Sequence, residues 1–115
     1  MFLIDELMPH LQPIIEKRVP NEAVGLILPN GQVVELLNHA YDPSTAFAVK
    51  GKDIQDVFVA YKLPLTRDTI RDSVLWHSHP GGNIGPSRTD MKNKLELMQH
   101  LVLSVIDGEI VASWY

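Results

Sequence analysis

The chain predicts an α+β fold: a mixed, mostly antiparallel sheet with flanking helices. Two observations carry that prediction. Asn30-Gly31 and Asp107-Gly108 each lie between short apolar runs. These dipeptides are the strongest short hairpin signals, so two pairs of strands are antiparallel neighbours. Between them, apolar residues recur at helical spacing, and the order α-β-β-(β)-α-β-α-β-β with its two hairpins is an α+β pattern. A length of 115 residues suits one domain, 1–115, with one core.

Leu3, Leu7, Leu11, Ile14 and Ile15 have helical spacing up to Arg18, but Pro9 and Pro13 interrupt it. An interior proline costs roughly 3 kcal/mol, so the expectation is a short turn, a break near Pro9 and a better helix to Arg18. Val19-Pro20-Asn21 ends it. Residues 22–28 (E-A-V-G-L-I-L) form an apolar run of strand length, and residues 33–38 return after the Asn-Gly turn. Gly25 inside the first run marks close approach by another backbone. Residues 39–45 read as loop and Phe47-Ala48-Val49 as a short strand. Ile54, Val57, Phe58 and Tyr61 define an amphipathic helix over 52–62, which Leu63-Pro64 stops. Residues 65–72 are polar and ambiguous.

A strand follows over 73–79, then a Gly/Pro-rich turn over 80–86. Ser87 opens a helix in which Met91, Leu95 and Met98 are core at helical spacing. The last two strands, 101–106 and 109–115, flank Asp107-Gly108, a two-residue hairpin signal. Trp76 is core; Trp114 and Tyr115 pack an edge or meet a partner.

Composition narrows the function. Hydrophobic residues make up 45% and charged residues 21%, as in a globular domain, and the net charge is −4. Scattered Lys and Arg argue against nucleic-acid and anionic-membrane partners. With no cysteine there is no thiolate metal site. Acidic residues stand where a signal peptide would be basic, and no apolar run approaches the ~20 residues that span a bilayer. The expectation is a cytoplasmic protein.

The chemistry concentrates in residues 76–90, W-H-S-H-P-G-G-N-I-G-P-S-R-T-D. On a strand, His77 and His79 share a face, ~6.6 Å apart along the chain, and can converge on one ion. Ser87 and Asp90 have capping-box spacing. Alternatively, Asp90 turns to the metal as a third ligand, the two roles competing for one carboxylate. Two His and one Asp leave a fourth tetrahedral position for water, the catalytic type of zinc site. A separate carboxylate is then wanted to move protons. Glu22, at the start of an apolar strand, and Glu35, at an alternating mid-strand position, are the candidates. Glu22 is preferred, though spacing alone leaves both open. Gly81, Gly82 and Gly85 lack the P-loop pattern and read as a flexible rim that admits substrate backbone. His10, His39 and His100 read as surface or satisfied core residues.

Glu22, His77-Ser78-His79-Pro80 and Ser87-Arg88-Thr89-Asp90 together resemble the JAMM motif of the JAB/MPN metallopeptidases. Glu22-Ala23-Val24-Gly25-Leu26-Ile27 resembles that family's Glu-containing first strand, and the likeness covers nearly the whole chain. It implies the MPN fold, a cytidine-deaminase-like α/β/α arrangement around a curved sheet. It implies Zn2+ held by His77, His79 and Asp90, Glu22 as general base and acid, and Ser87 beside the bound water or oxyanion. The implied reaction is hydrolysis of an amide or isopeptide bond in a peptide or protein substrate. Phe47 after the Pro43 loop resembles prokaryotic and tailed-phage tail-assembly members, so the compartment implied is bacterial or host cytoplasm. The length leads to the expectation of a form without the ubiquitin-gripping insertions or the fused cysteine-peptidase domain of some members, so the resemblance implies no particular substrate.

Two other functions compete. The domain could serve as a phage tail-assembly or other protein-interaction module, with or without peptidase activity. Two His and one carboxylate also make the facial triad of non-haem iron oxygenases; the separate Glu suits hydrolysis better.

Overall fold

The computed structural model describes residues 4–115. The elements run α1 (Ile4–Arg18), β1 (Val24–Ile27), β2 (Val33–Leu36), α2 (Gly51–Ala60), α3 (Arg67–Arg71), β3 (Val74–His79), α4 (Arg88–Lys92), β4 (Gln99–Ile106) and β5 (Glu109–Trp114). The strands form one sheet in the order β2-β1-β3-β4-β5. Only β3 and β4 are parallel; the other neighbours are antiparallel. The fold is therefore α+β with a mixed, mostly antiparallel sheet, as expected.

Alternation along the strands gives the sheet two apolar faces. On one, Leu11 and Ile15 of α1 pack with Ile27, Trp76, Leu101 and Leu103. On the other, Phe58 of α2 packs with Val24, Leu26, Leu75 and Met98. The parity that puts Leu75 on the α2 face puts His77 and His79 there too, and Trp76 on the opposite, α1 face. Gly25 lies opposite Trp76 in the β1–β3 register. A Cβ at Gly25 would sit 2.1 Å from the Val34 carbonyl oxygen and 2.6 Å from the Trp76 ring. The close approach expected at Gly25 is thus by a backbone and by the indole together.

Several expectations are corrected. The N-terminal helix does not break at Pro9; α1 is continuous through Pro9 and Pro13. The two prolines are four apart and both exposed, so the carbonyls left unpaired, Asp5 and Pro9, fall on the solvent side where water can serve them. Leu3 lies outside the described residues. Phe47-Ala48-Val49 is not a strand; the Asn38 side chain replaces a ladder there. Residues 67–71 form a short helix capped by Thr66.

The helix after Ser87 is much shorter than expected. It ends at Asn93, and Met91 and Leu95 are exposed (52% and 41%) rather than core. His100 is the reason: its Nε2 lies 3.1 Å from both the N and the O of Leu95, which holds that segment in a turn. The two hairpins also differ. Asp107 and Gly108 (φ 51 and 80) make a true two-residue turn between Ile106 and Glu109. The first hairpin closes instead through Leu28 N–H to Gln32 O, leaving a three-residue loop with Gly31 at φ 89.

Candidate metal centre

The site forms where three segments meet at the C-terminal end of β3. β3 carries His77 and His79. β1 pairs with it antiparallel, Val24 opposite His77. That pairing extends beyond the strand: Ser78 N–H donates to the Ala23 carbonyl at 2.9 Å, and the Ala23 N–H donates to Ser78 Oγ at 2.8 Å. One residue further out, Glu22 stands opposite His79, on the same sheet face as the imidazoles. The crossover from β3 to the parallel β4 supplies the third segment, in which Ser87 caps α4 and Asp90 occupies its first turn.

Three donor atoms converge. His77 Nε2 lies 3.2 Å from His79 Nε2, and Asp90 Oδ2 lies 3.0 Å from the first and 3.1 Å from the second. Ligands ~2.0–2.1 Å from a tetrahedral zinc ion stand roughly 3.3 Å apart, so this triangle has nearly the edges a zinc ion requires. Three electron-pair donors this close also repel unless a proton or a cation lies among them. The residues present therefore fit a metal ion. Glu22 adds a carboxylate: one of its oxygens and a ring nitrogen of each of His77 and His79 all lie within 4.8 Å of one another. Its Oε1 is buried without a hydrogen-bond partner among the described residues.

Asp90 caps the helix and reaches the histidines at once. Its Oδ2 accepts the Ser87 N–H at 2.9 Å, completing a capping box, and faces both imidazoles with the same atom. The cap therefore leaves the carboxylate beside the histidines, because the first turn of α4 points at them. The Ser87 hydroxyl accepts the Asp90 N–H at 3.0 Å and keeps its own O–H to donate.

Burial and charge set the protonation. Burial pushes the Glu22 carboxyl up to about 7, with the Asp90 charge adding and His79 opposing. Burial also pushes Asp90 up, but hydrogen bonds from both histidines and the Ser87 N–H outweigh it and hold the group far below the usual carboxylate range. Burial lowers His77 despite Asp90. His79 is raised, chiefly by its bond to Asp90. The orienting contacts are also present. His79 Nδ1–H donates to the Asn83 carbonyl at 3.0 Å, which directs Nε2 to the centre. The His77 ring stacks on Phe47, centroids 4.3 Å apart, and meets Tyr115 edge-on at 6.1 Å.

All five sequence-derived residues, Glu22, His77, His79, Ser87 and Asp90, thus come together. Glu35 does not; it lies on the opposite, α1 face of the sheet and pairs with Lys17 and Arg18. His10 is exposed, His39 pairs with Asp53, and His100 is buried against the Leu95 turn. Sequence reasoning missed Asn38, Phe47 as a stacking wall, and Asn83. Each acts through backbone or ring contacts that leave no spacing signal. Beside Ser87 and Asp90 lies a cavity of about 230 Å³, with Phe47, Ala48, Val49 and Leu75 among its lining.

A family model described as prokaryotic homologs of the JAB domain matches residues 4–115. Among solved structures, the solution structure of a protein from Desulfitobacterium hafniense aligns with a TM-score of 0.62 at 23% identity, covering 95% of this chain and 78% of that one. That likeness is one of fold. No curated protein matches the chain.

Proposed function

The chain belongs to the prokaryotic homologues of the JAB domain, and from that premise we propose that it is a zinc-dependent metallopeptidase or isopeptidase. The observation that carries this reading is the triangle of His77 Nε2, His79 Nε2 and Asp90 Oδ2, with an unpartnered buried carboxylate oxygen of Glu22 beside it. In this reading His77, His79 and Asp90 hold the ion.

A bound zinc ion supplies a water whose pKa falls from 15.7 to about 7. Glu22 is matched to that water. A carboxylate raised to about 7 by burial can take its proton at neutral pH and return it to the leaving amine. Asp90 stays ionised and holds both imidazoles in place. The Ser87 O–H, free because its oxygen already accepts from Asp90, donates to the oxyanion that forms at the scissile carbonyl. The cavity beside Ser87 admits an extended peptide segment with an apolar side chain against Phe47, Val49 and Leu75.

The test pairs metal analysis with one variant. Protein purified without chelators should carry about one zinc per chain and hydrolyse a peptide library. Glu22→Gln should keep the zinc and lose hydrolysis by at least ~100-fold, since general acid–base catalysis contributes that much or more. Full activity in Glu22→Gln would remove Glu22 as the base.

A second reading is a protein-interaction module, in a phage one of tail assembly. It draws on an apolar cavity of about 310 Å³ lined by Ile54, Phe58, Ile70, Leu97 and Met98, with none of the triangle's residues in its lining. Biological function that survives Glu22→Gln would favour this reading.

A further inference from the structure

We propose that Asn38 is a positioning residue, one amide that clamps the strand bearing Glu22 to the loop bearing Phe47. The inference rests on the peptidase reading for its catalytic consequence and on the hydrogen bonds alone for its structural one. Asn38 follows β2, between the two segments it joins. Its Nδ2 donates to the Glu22 carbonyl at 3.0 Å and to the Ala46 carbonyl at 3.0 Å. Its Oδ1 accepts the Ala40 N–H at 3.0 Å and the Ala48 N–H at 3.1 Å. Two donors and two lone pairs are all that a side-chain amide has, and each is used on backbone.

The bonded groups flank the centre on two sides. The Glu22 carbonyl belongs to the residue whose carboxylate stands beside His77 and His79. Ala46 and Ala48 bracket Phe47, whose ring stacks on His77. The loop 45–49 has no ladder of its own, and its tie to the β2 exit beyond Asn38 is the bond from His39 N–H to the Ala48 carbonyl at 2.8 Å. Asn38 therefore couples the placement of Glu22 to the wall that holds His77. Aspartate at this position would keep both acceptor contacts and lose both donors, opposing two carbonyl oxygens with a carboxylate.

The experiment compares Asn38→Asp and Asn38→Ala with Asn30→Ala, whose side chain serves only the first hairpin turn. NMR of each protein reads the ring-current shift of the His77 ring from Phe47 and the exchange of the Ala40 and Ala48 amides. Both Asn38 variants should lose the ring-current shift. Only Asn38→Ala should lose protection at Ala40 and Ala48. Well below their melting temperatures, both should lower kcat about 10- to 100-fold, as expected of a misplaced catalytic group, at unchanged zinc content. Asn30→Ala should lower stability alone. An unchanged His77 shift in Asn38→Asp would overturn the clamp. Normal kcat, or a loss shared by Asn30→Ala, would overturn its catalytic part. A wild type that hydrolyses nothing would sink the peptidase reading while leaving the NMR comparison to decide the clamp.

Discussion

Asp90 shows how much one side chain does here. Its Oδ2 closes a capping box and contacts two imidazoles, so Asp90→Ala removes a helix cap and, in the metallopeptidase reading, the proposed third ligand together. Asparagine separates the two, because its side-chain oxygen can still accept from Ser87. Asp90→Asn should weaken zinc binding more than the ~10–100-fold typical of outer partners, yet melt above Asp90→Ala. Loss of the buried Ser87 N–H partner in the alanine variant should itself cost about 1–3 kcal/mol. Isothermal titration with zinc and thermal melts of the metal-free proteins check both. Equal melting points for the two variants would show that the cap contributes nothing. At this scale the sequence was highly legible. His77, His79, Ser87 and Asp90 lie within one short stretch whose spacing follows from strand and helix periods. Asn38 was not legible, because an asparagine after a strand reads as any turn residue.

At the scale of elements, α1 is tied to β2 by Glu35, which accepts from Lys17 and Arg18. Partial burial raises the Glu35 carboxyl, but these two partners outweigh it and hold it below its ordinary value. A group lowered on folding contributes stability that is full above its unfolded value and lost as pH falls through its folded one. Glu35→Gln should therefore be less stable than wild type at neutral pH, and the difference should vanish in acid. Urea titrations at both pH values measure it; a deficit that persisted in acid would mean a packing effect. Elements are also where local signals mislead. A proline's penalty is local and predicts a break at Pro9, whereas both prolines face solvent and leave the buried stripe of Leu11 and Ile15 intact. Helical spacing continues to Met98 and predicts a longer α4, whereas the buried His100 meets Leu95 in a turn. Among the described residues no helix is long and apolar enough to cross a membrane.

For the whole molecule, the centre is a junction of segments that only the folded sheet brings together. Metal binding should therefore be coupled to folding, since the unfolded chain has no converged ligands. Zinc at about 100 times its dissociation constant should raise the unfolding free energy by about 2.7 kcal/mol. His77→Ala should show no such rise. A zinc-independent melting temperature in the wild type would place the metal elsewhere or nowhere. What the sequence by itself determined is local: two same-face histidines, a Ser and an Asp opening a helix, two hairpins, and a glycine under pressure at Gly25. All of these follow from periods of two and 3.6 residues and from turn chemistry. What only the tertiary structure decided is how the carboxylate preferred in the sequence, Glu22, comes to stand beside them. Glu22 and Glu35 both lie on early strand segments, and no local rule separates them. The antiparallel register of Val24 with His77, carried outward by Ser78 and Ala23 across 55 residues, turns Glu22 to the histidines. The pairing of Glu35 with α1 turns it away. Register is set by packing both faces of the sheet at once, and that is a property of the folded chain.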